Sequence, residues 1–574
     1  MMTTVRELYR ECGIGQVHAE SDYFCLIRKL VSLRNEQGEV WQRFIDQTYN
    51  LIQDEIENNP GQPIRRVKFG TSGWRGVLGK DLFVRSVSQV TAAIVSLYEE
   101  LETDSALVPF LGVASLAEAR QRGCVLGFDN RFGGVTLAAA VAEVLRQNNF
   151  VVHYAGESAT GVLSAALLEL NGAFSINLTP SHNPLEYGGF KYNAADAGPA
   201  ASELTDQITM RACEIIATET SVLDPQICLS DPAERNDLQP FDSFSCWRNL
   251  VRSNVAGHGL ALNEILEKFT ERADLCVAVD SVHGSSRLHL PELLATGGER
   301  FIHLRSEPDV TFGGVAPEPS SVNMQGVMAA LAGRAEPLKL GAIIDPDGDR
   351  IRFCDGNVEI SMNQFGAMAY HFLHEIKGKN GMVAKTVATS NMANGLARAF
   401  GEDVYEPRVG FKEFKPVIGQ ALVCFEESDG ITVIGHTPEK DAYIGLLLAV
   451  DMVQTLGINL GEYLRQIEEE FGACYPDRDG VEVSLRGGEL LACLASLQKH
   501  AAGTDLRVGE KIQRIVEVID IDGRKMILDD GSWLMIRPSG TEPKVRFYVE
   551  GRTAEQSRAL VASARELLAE IGLL

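Results

Sequence analysis

Three carboxylates, Asp345, Asp347 and Asp349, alternate along Asp345-Pro346-Asp347-Gly348-Asp349-Arg350, directly after the apolar run Leu340 to Ile344. Acidic side chains at i, i+2 and i+4 can converge on one hard cation, and Mg2+ is the natural guest. Without a neutralising cation such charges repel one another. A calcium-binding EF-hand loop is excluded, because Arg350 and Gly356 stand where that loop needs Gly and Glu. A second loop, Thr179-Pro180-Ser181-His182-Asn183-Pro184, follows the apolar run Phe174 to Leu178. Ser181 and His182 thereby sit just beyond a strand's carboxyl end, where α/β proteins bind ligands, with an ordinary Ser/Asn turn as the rival reading. No G-x-S-x-G elbow is present, which counts against an esterase. In a third loop, Arg537-Pro538-Ser539-Gly540-Thr541-Glu542-Pro543, a guanidinium fork, two hydroxyls and a flexible Gly stand near Lys544 and Arg546. That is the composition of a phosphate clamp. No G-x-x-x-x-G-K-[ST] motif supports ATP as the phosphoryl donor.

The chain is acidic, with 53 Lys+Arg against 78 Asp+Glu and a formal net charge of −25. This balance counts against nucleic-acid partners and against a membrane surface, and an anionic ligand would need locally gathered cations. Gly-basic segments can supply them: Lys68 with Phe69 to Gly76, which includes Arg75, then Gly188 to Lys191, and Val409-Gly410-Phe411-Lys412. Glu426-Glu427-Ser428 offers acceptors suited to sugar hydroxyls, and a solvated loop is the plainer reading of it. Eleven cysteines without a C-x-x-C pair favour reduced thiols in a cytoplasmic protein. The first residues show no apolar signal region, and Ile444 to Val450 is far short of the ~20 apolar residues of a bilayer span.

A chain of 574 residues suggests about four domains. Residues 1–60 read as a helical extension for packing or oligomer contact, with Trp41, Ile45, Ile52 and Ile56 at near-helical spacing and Pro60-Gly61 closing it. Apolar strands then alternate with helical stretches, the α/β pattern. Composition breaks place domain 1 at 61–225 with the Ser181 loop and domain 2 at 226–336, its end meeting the metal loop at the 336/345 junction. Domain 3 would span 337–465 with the metal and sugar loops, and an α+β domain 4 would span 466–574 with the phosphate clamp.

Taken in order, Lys68 to Gly76, Thr179 to Pro184, Asp345 to Arg350, Glu426 to Ser428 and Arg537 to Pro543 resemble the motifs of the α-D-phosphohexomutase superfamily, from about residue 60 onward. The resemblance implies three related α/β domains and a C-terminal α+β domain around a central cleft. It implies an intramolecular phosphotransferase of the isomerase class, in which phosphorylated Ser181, with Asp345, Asp347 and Asp349, holds one Mg2+. Phospho-Ser181 would donate to a sugar phosphate, and the 1,6-bisphosphate formed would reorient and return the other phosphate. Glucose 1,6-bisphosphate would serve as activator. Arg75, His182, Lys191 and Arg350 would serve the transferring group. Gly410, Lys412, Lys440, Arg537, Ser539, Gly540, Thr541 and Arg546 would hold phosphate, and Glu426 and Ser428 the sugar.

The E-E-S segment, Gly188 to Asn193 with Gly198-Pro199-Ala200, and Glu439-Lys440-Asp441 are most similar to phosphoglucomutases, favouring glucose over mannose or glucosamine. Phe425, Asp429 and Gly430 depart from the family pattern around the sugar loop. The alternatives are a phosphomannomutase, a hexose 1,6-bisphosphate synthase, or a non-catalytic sugar-phosphate scaffold. Oligomeric state is left open.

Overall fold

The computed structural model describes residues 2–574 apart from 16, 71, 219–220, 224–228, 230–231, 235–237, 239 and 540–543. Three helices, Met2–Glu11, Tyr23–Gln37 and Gln42–Asn58, form the N-terminal extension. Their apolar stripes bury Ile27, Leu30, Ile45 and Ile52 in one core with Val90 and Ile94 of domain 1, so the extension is an integral layer of that domain. Asp22 caps the second helix by accepting from the Cys25 N–H at 2.8 Å. The expectation of reduced thiols fails here, because Cys12 and Cys25 form a disulfide with a Cα–Cα distance of 5.6 Å. Burying the helix pair brings together two cysteines whose spacing carries no pairing signature.

Domain 1 is built on a six-stranded mixed sheet. Cys124–Phe128 lies next to one edge, parallel to both Phe174–Leu178 and Val152–Glu157. Cys124–Phe128 and Phe174–Leu178 are buried along their whole length, which is why they read as continuous apolar runs rather than alternating ones. Tyr187–Ala194 then pairs antiparallel with Phe174–Leu178 and carries Lys191 beside Asn177.

The second sheet corrects the expected boundary at 336. Leu338–Ile344 pairs in parallel with Leu275–Asp280 and antiparallel with Ile351–Cys354, so the strand and the aspartate loop after it belong to domain 2. Arg334 to Pro337 is the return from helix Ser321–Ala332 into the sheet of the same domain. A polar break marks a loop, and cannot distinguish a crossover from a linker between domains. Domain 3 begins near Met362 and carries a four-stranded sheet in which Val423–Glu426 and Gly430–Val433 form a hairpin. It includes helices Ala442–Leu456 and Leu460–Phe471, so the last domain starts beyond 471 rather than at 466. Ala442–Leu456 is almost wholly buried, and no single described helix is long and apolar enough to cross a membrane.

Domain 4 is a six-stranded sheet backed by helix Ala554–Glu570, matching the α+β expectation. It docks on domain 3 through Trp533, Met535 and Tyr548 against Val387 and Ala388. A buried polar latch reinforces the contact. Lys525 Nζ donates to the Val387 carbonyl and Glu406 Oε1, both at 2.9 Å, and lies 4.2 Å from the Trp533 ring centre. Lys385 holds the other Glu406 oxygen at 3.0 Å. Burial opposes ionisation of Glu406, but the two lysines win and lower its pKa to about 2.

A depressed carboxyl pKa contributes stability that is present in full above the unfolded value of 4.5 and is lost as pH falls towards 2. Glu406→Gln is therefore expected to lose about 3 kcal/mol at neutral pH, by leaving two buried ammonium groups unpaired. It should also flatten the stability profile between pH 4.5 and 2, as read by denaturant unfolding across that range.

Candidate active site

The Ser181 loop and the aspartate loop meet at strand ends from different domains. Ser181 is fully buried in the left-handed region at φ 57°, a conformation that costs energy for a non-glycine residue. Two contacts hold it there: its N–H donates to Thr179 Oγ1 at 2.8 Å, and its carbonyl accepts from Arg131 Nη2 at 2.7 Å. Its Oγ donates to Asp345 Oδ2 at 2.8 Å and lies 3.5 Å from Asp349 Oδ1 and 3.4 Å from His182 Nδ1.

The three aspartates are buried, and one oxygen from each can be chosen so that all lie within 4.8 Å of one another. The turn folds onto itself, with the N–H groups of Asp349 and Arg350 both donating to Asp345 Oδ1 at 3.0 Å. Lys191 Nζ bridges Asp347 Oδ2 at 2.6 Å and Asp349 Oδ2 at 2.8 Å, and Thr160 Oγ1 donates to Asp347 Oδ2 at 2.7 Å. Asp347 Oδ1 is buried with no hydrogen-bond partner among the described residues. An orphaned carboxylate oxygen inside an acidic cage, beside a hydroxyl, is the donor set a hard divalent cation completes. The residues fit a metal.

Electrostatics divides the cluster. Burial, with Asp347 and Asp349 close by, pushes the Asp345 pKa well above the carboxylate range. Burial acts the same way on Asp349, but Lys191, Lys440 and Arg350 outweigh it and hold that pKa well below the usual value. The Lys191 ammonium resists burial because Asp347, Asp349 and Glu439 raise its pKa, so it stays charged. Burial, then Arg350 and Arg75, drive the His182 pKa well below its usual value, leaving a neutral imidazole. Burial and Arg350 lower the Arg75 pKa to about 10, so its guanidinium remains protonated at neutral pH. Arg75 reaches the loop through Asn183 Oδ1 at 2.7 Å.

Lys440 links the sugar loop to this cluster, 3.3 Å from Asp349 and 3.6 Å from Glu426. Ser428 Oγ donates to Glu426 Oε1 at 2.8 Å. Asp429, unexpected by the family pattern, is taken by Arg352 at 2.7 Å and ties the hairpin to domain 2. A cleft where domains 1, 2 and 3 meet is lined by Ser72, Lys191, Asp349, Phe411 and Lys440.

The phosphate-clamp residues gather separately. Arg537 and Arg546 are cross-strand partners, which puts their side chains on one face of the sheet. Asp522 Oδ2 lies 3.2 Å from Arg537 Nε and accepts from the Val409 N–H at 3.0 Å, joining the clamp to the Gly410 loop. The Ser539 N–H donates to the Lys544 carbonyl at 2.8 Å, whereas Gly540 and Thr541 lie outside the described residues. Lys412 does not join either cluster, and donates instead to Ser202 Oγ at 2.6 Å. Sequence reasoning missed Thr160 and Arg131. Arg131 had a signal, since Asp129-Asn130-Arg131 follows an apolar strand just as the other loops do. Thr160 had none, because it opens an ordinary apolar helix.

Three α/β/α domains and one α+β domain, each with a motif loop, define the phosphohexomutase architecture. The family descriptions for phosphoglucomutase/phosphomannomutase match in order: alpha/beta/alpha domain I at residues 66–219, domain II at 261–358, domain III at 361–471 and the C-terminal domain at 495–567. The chain belongs to this family of mutases. Similar relatives include a probable phosphoglucosamine mutase of Methanosphaera stadtmanae, 25% identical, with 88% of this chain and 98% of the relative covered. A phosphoglucomutase of Staphylococcus aureus is 24% identical over 87% of this chain and 91% of its own. Among solved structures, a putative phosphomannomutase from Thermus thermophilus shares the fold with a TM-score of 0.68 at 24% identity, covering 88% of this chain and 99% of that one.

Proposed function

We propose that the protein is a phosphoglucomutase that interconverts glucose 1-phosphate and glucose 6-phosphate through phosphorylated Ser181 and a glucose 1,6-bisphosphate intermediate. The observation that carries the reading is the Ser181 hydroxyl, strained and buried, aimed 2.8 Å from Asp345 inside the acidic cage. Asp345, Asp347, Asp349 and the phosphate carried by Ser181 would hold Mg2+. The ion supplies charge neutralisation on the transferring phosphoryl group. A solved relative, N-acetylphosphoglucosamine mutase of Aspergillus fumigatus, was crystallised with GlcNAc-6P and magnesium, at a TM-score of 0.52 and 15% identity over 91% of this chain and 98% of that one.

In the forward step the Ser181 Oγ–P bond breaks and a bond from phosphorus to the sugar hydroxyl forms. Lys191 and Arg350, both held protonated, stabilise the phosphoryl oxygens. Lys191 cannot act as the base for the same reason. Over the step the proton leaves the sugar hydroxyl and ends on Ser181 Oγ, and neutral His182, 3.4 Å from that oxygen, is placed to accept the Ser181 proton when the bond to phosphorus forms again. Arg537, Ser539 and Arg546, with Gly540 and Thr541, would hold the phosphate that is not reacting, and Gly410 and Lys440 would support it. Glu426 and Ser428 would hold the sugar. A silent scaffold has no chemical need for this set together.

The test is initial rates on glucose, mannose and N-acetylglucosamine 1-phosphates, with Mg2+ and glucose 1,6-bisphosphate as activator. Glucose is expected to lead in kcat/KM by about tenfold or more. A lead by mannose or the amino sugar overturns the glucose assignment. Net release of hexose 1,6-bisphosphate from an added phosphoryl donor would favour the synthase reading.

A further inference from the structure

The N-terminal extension precedes every family match, the first of which begins at residue 66, yet it contacts two domains. Its second helix buries Leu26, Ile27 and Leu30 with domain 1, while the last turn of that helix reaches domain 2. Arg34 Nη2 donates to Thr311 Oγ1 at 3.2 Å and lies 3.4 Å from Asp309 Oδ2; its Nη1 is fixed on Gln42 Oε1 at 2.7 Å. Asn35 Nδ2 donates to the Gly313 carbonyl at 2.9 Å. Gly314 packs so closely that an added Cβ would stand 2.8 Å from Val31.

The loop so gripped is already shaped by Asp309, which accepts from the N–H groups of Thr311 and Gly313 at 2.8 and 3.1 Å. At its tip Phe312 is fully buried in the left-handed region, φ 53°, with the Arg131 guanidinium 4.9 Å from its ring centre. Arg131 holds the Ser181 loop from below, donating to the carbonyls of Ser181 at 2.7 Å, Pro184 at 2.8 Å and Asn183. Beside it, Asn130 Nδ2 donates to the His283 carbonyl of domain 2 at 2.6 Å. Two residues on, the Ser285 N–H donates to the carbonyl of Pro346, between Asp345 and Asp347, at 2.8 Å. Packed contacts thus run unbroken from the extension to both reacting loops.

We propose that the extension is an interdomain brace that clamps the 309–314 loop of domain 2 onto Arg131, and so keeps Ser181 of domain 1 in register with Asp345 of domain 2 before any ligand arrives. Arg34 and Arg131 are positioning residues, since neither side chain reaches Ser181 Oγ or the aspartates. The kinetic part of the proposal rests on the mutase reading above; the structural part does not. A strained nucleophile split between two domains needs such a brace, because a shift of about 1 Å between reacting groups can cost two orders of magnitude in rate.

Deleting the extension would strip the domain 1 core, so the test uses point variants of the full chain. Arg34→Met and Asn35→Ala are compared with Arg34→Lys by hydrogen exchange, without sugar or metal. Exchange in peptides covering 179–184 and 345–350 is expected to rise about tenfold in the first two variants, with 511–519 of domain 4 unchanged and with partial recovery in Arg34→Lys. In turnover, kcat should fall about tenfold with KM within about twofold, the signature of lost alignment rather than lost binding. Wild-type exchange in both loops, in variants whose melting is intact, overturns the brace. A uniform rise across all four domains does the same, since it would show only general destabilisation. If the wild-type protein proves to have no mutase activity, the functional reading fails while the exchange result still decides the brace.

Discussion

Ser181→Ala should abolish both interconversion and phosphate labelling, a loss of roughly 10⁴-fold or more, about 5 kcal/mol in transition-state free energy. The size follows from what the residue does. In a mutase the nucleophile is also the phosphoryl donor, and the buried hydroxyls of Thr160 and Thr179 beside the cage are committed to Asp347 and Asp129. The fold should survive. Alanine tolerates the left-handed backbone about as poorly as serine, and the contacts that impose it run through the backbone to Thr179 and Arg131. The check is intact mass after incubation with glucose 1,6-bisphosphate, alongside a melting curve. A phosphate adduct or appreciable turnover in the variant would sink the nucleophile assignment.

Asp347→Asn should separate metal binding from folding. The wild-type protein is expected to gain about 2.7 kcal/mol of stability when Mg2+ is present at 100 times its dissociation constant. The variant should lose most of that gain, because Asp347 supplies the orphaned oxygen Oδ1. Its turnover should fall by about 10³-fold, and its dependence on Mg2+ should shift to higher concentration. The metal-free variant should melt near the wild-type temperature, since losing the Lys191 pair at 2.6 Å is offset by relief of repulsion among three buried carboxylates. A full Mg2+-dependent melting shift in the variant would overturn the cage as the metal site.

The motif loops were legible because each pairs an apolar strand with an abrupt cluster of polar groups, and composition alone separates the two. Asp345 to Arg350, Thr179 to Pro184 and Glu426 to Ser428 all follow strands the hydrophobic pattern located. The boundary at 336 was misplaced for a related reason. Strand pairing decides domain membership, and Leu338–Ile344 pairs backwards, with Leu275–Asp280, across some sixty residues of intervening chain. The Cys12–Cys25 pair was equally hidden, since only helix packing brings the two thiols together. Lys412 had the right type and neighbourhood for phosphate, and the packing of domain 3 against domain 1 directs it to Ser202 instead.

By itself the sequence determined which groups are available for chemistry: a serine, three alternating aspartates, and cations placed in loops at strand ends within an acidic chain. Their local order follows from propensity and pattern, which act over a few residues. Only the tertiary structure decided their electrostatic states and their partners. Asp345 and Asp349 are four residues apart and chemically identical, yet their pKa values move in opposite directions, because Lys191 and Lys440 approach one and not the other. The same holds for the extension, whose apolar stripe announced packing without naming a partner. That choice belongs to surface complementarity between elements distant in the chain, and here it joins Arg34 to domain 2 and, through Arg131, to the serine.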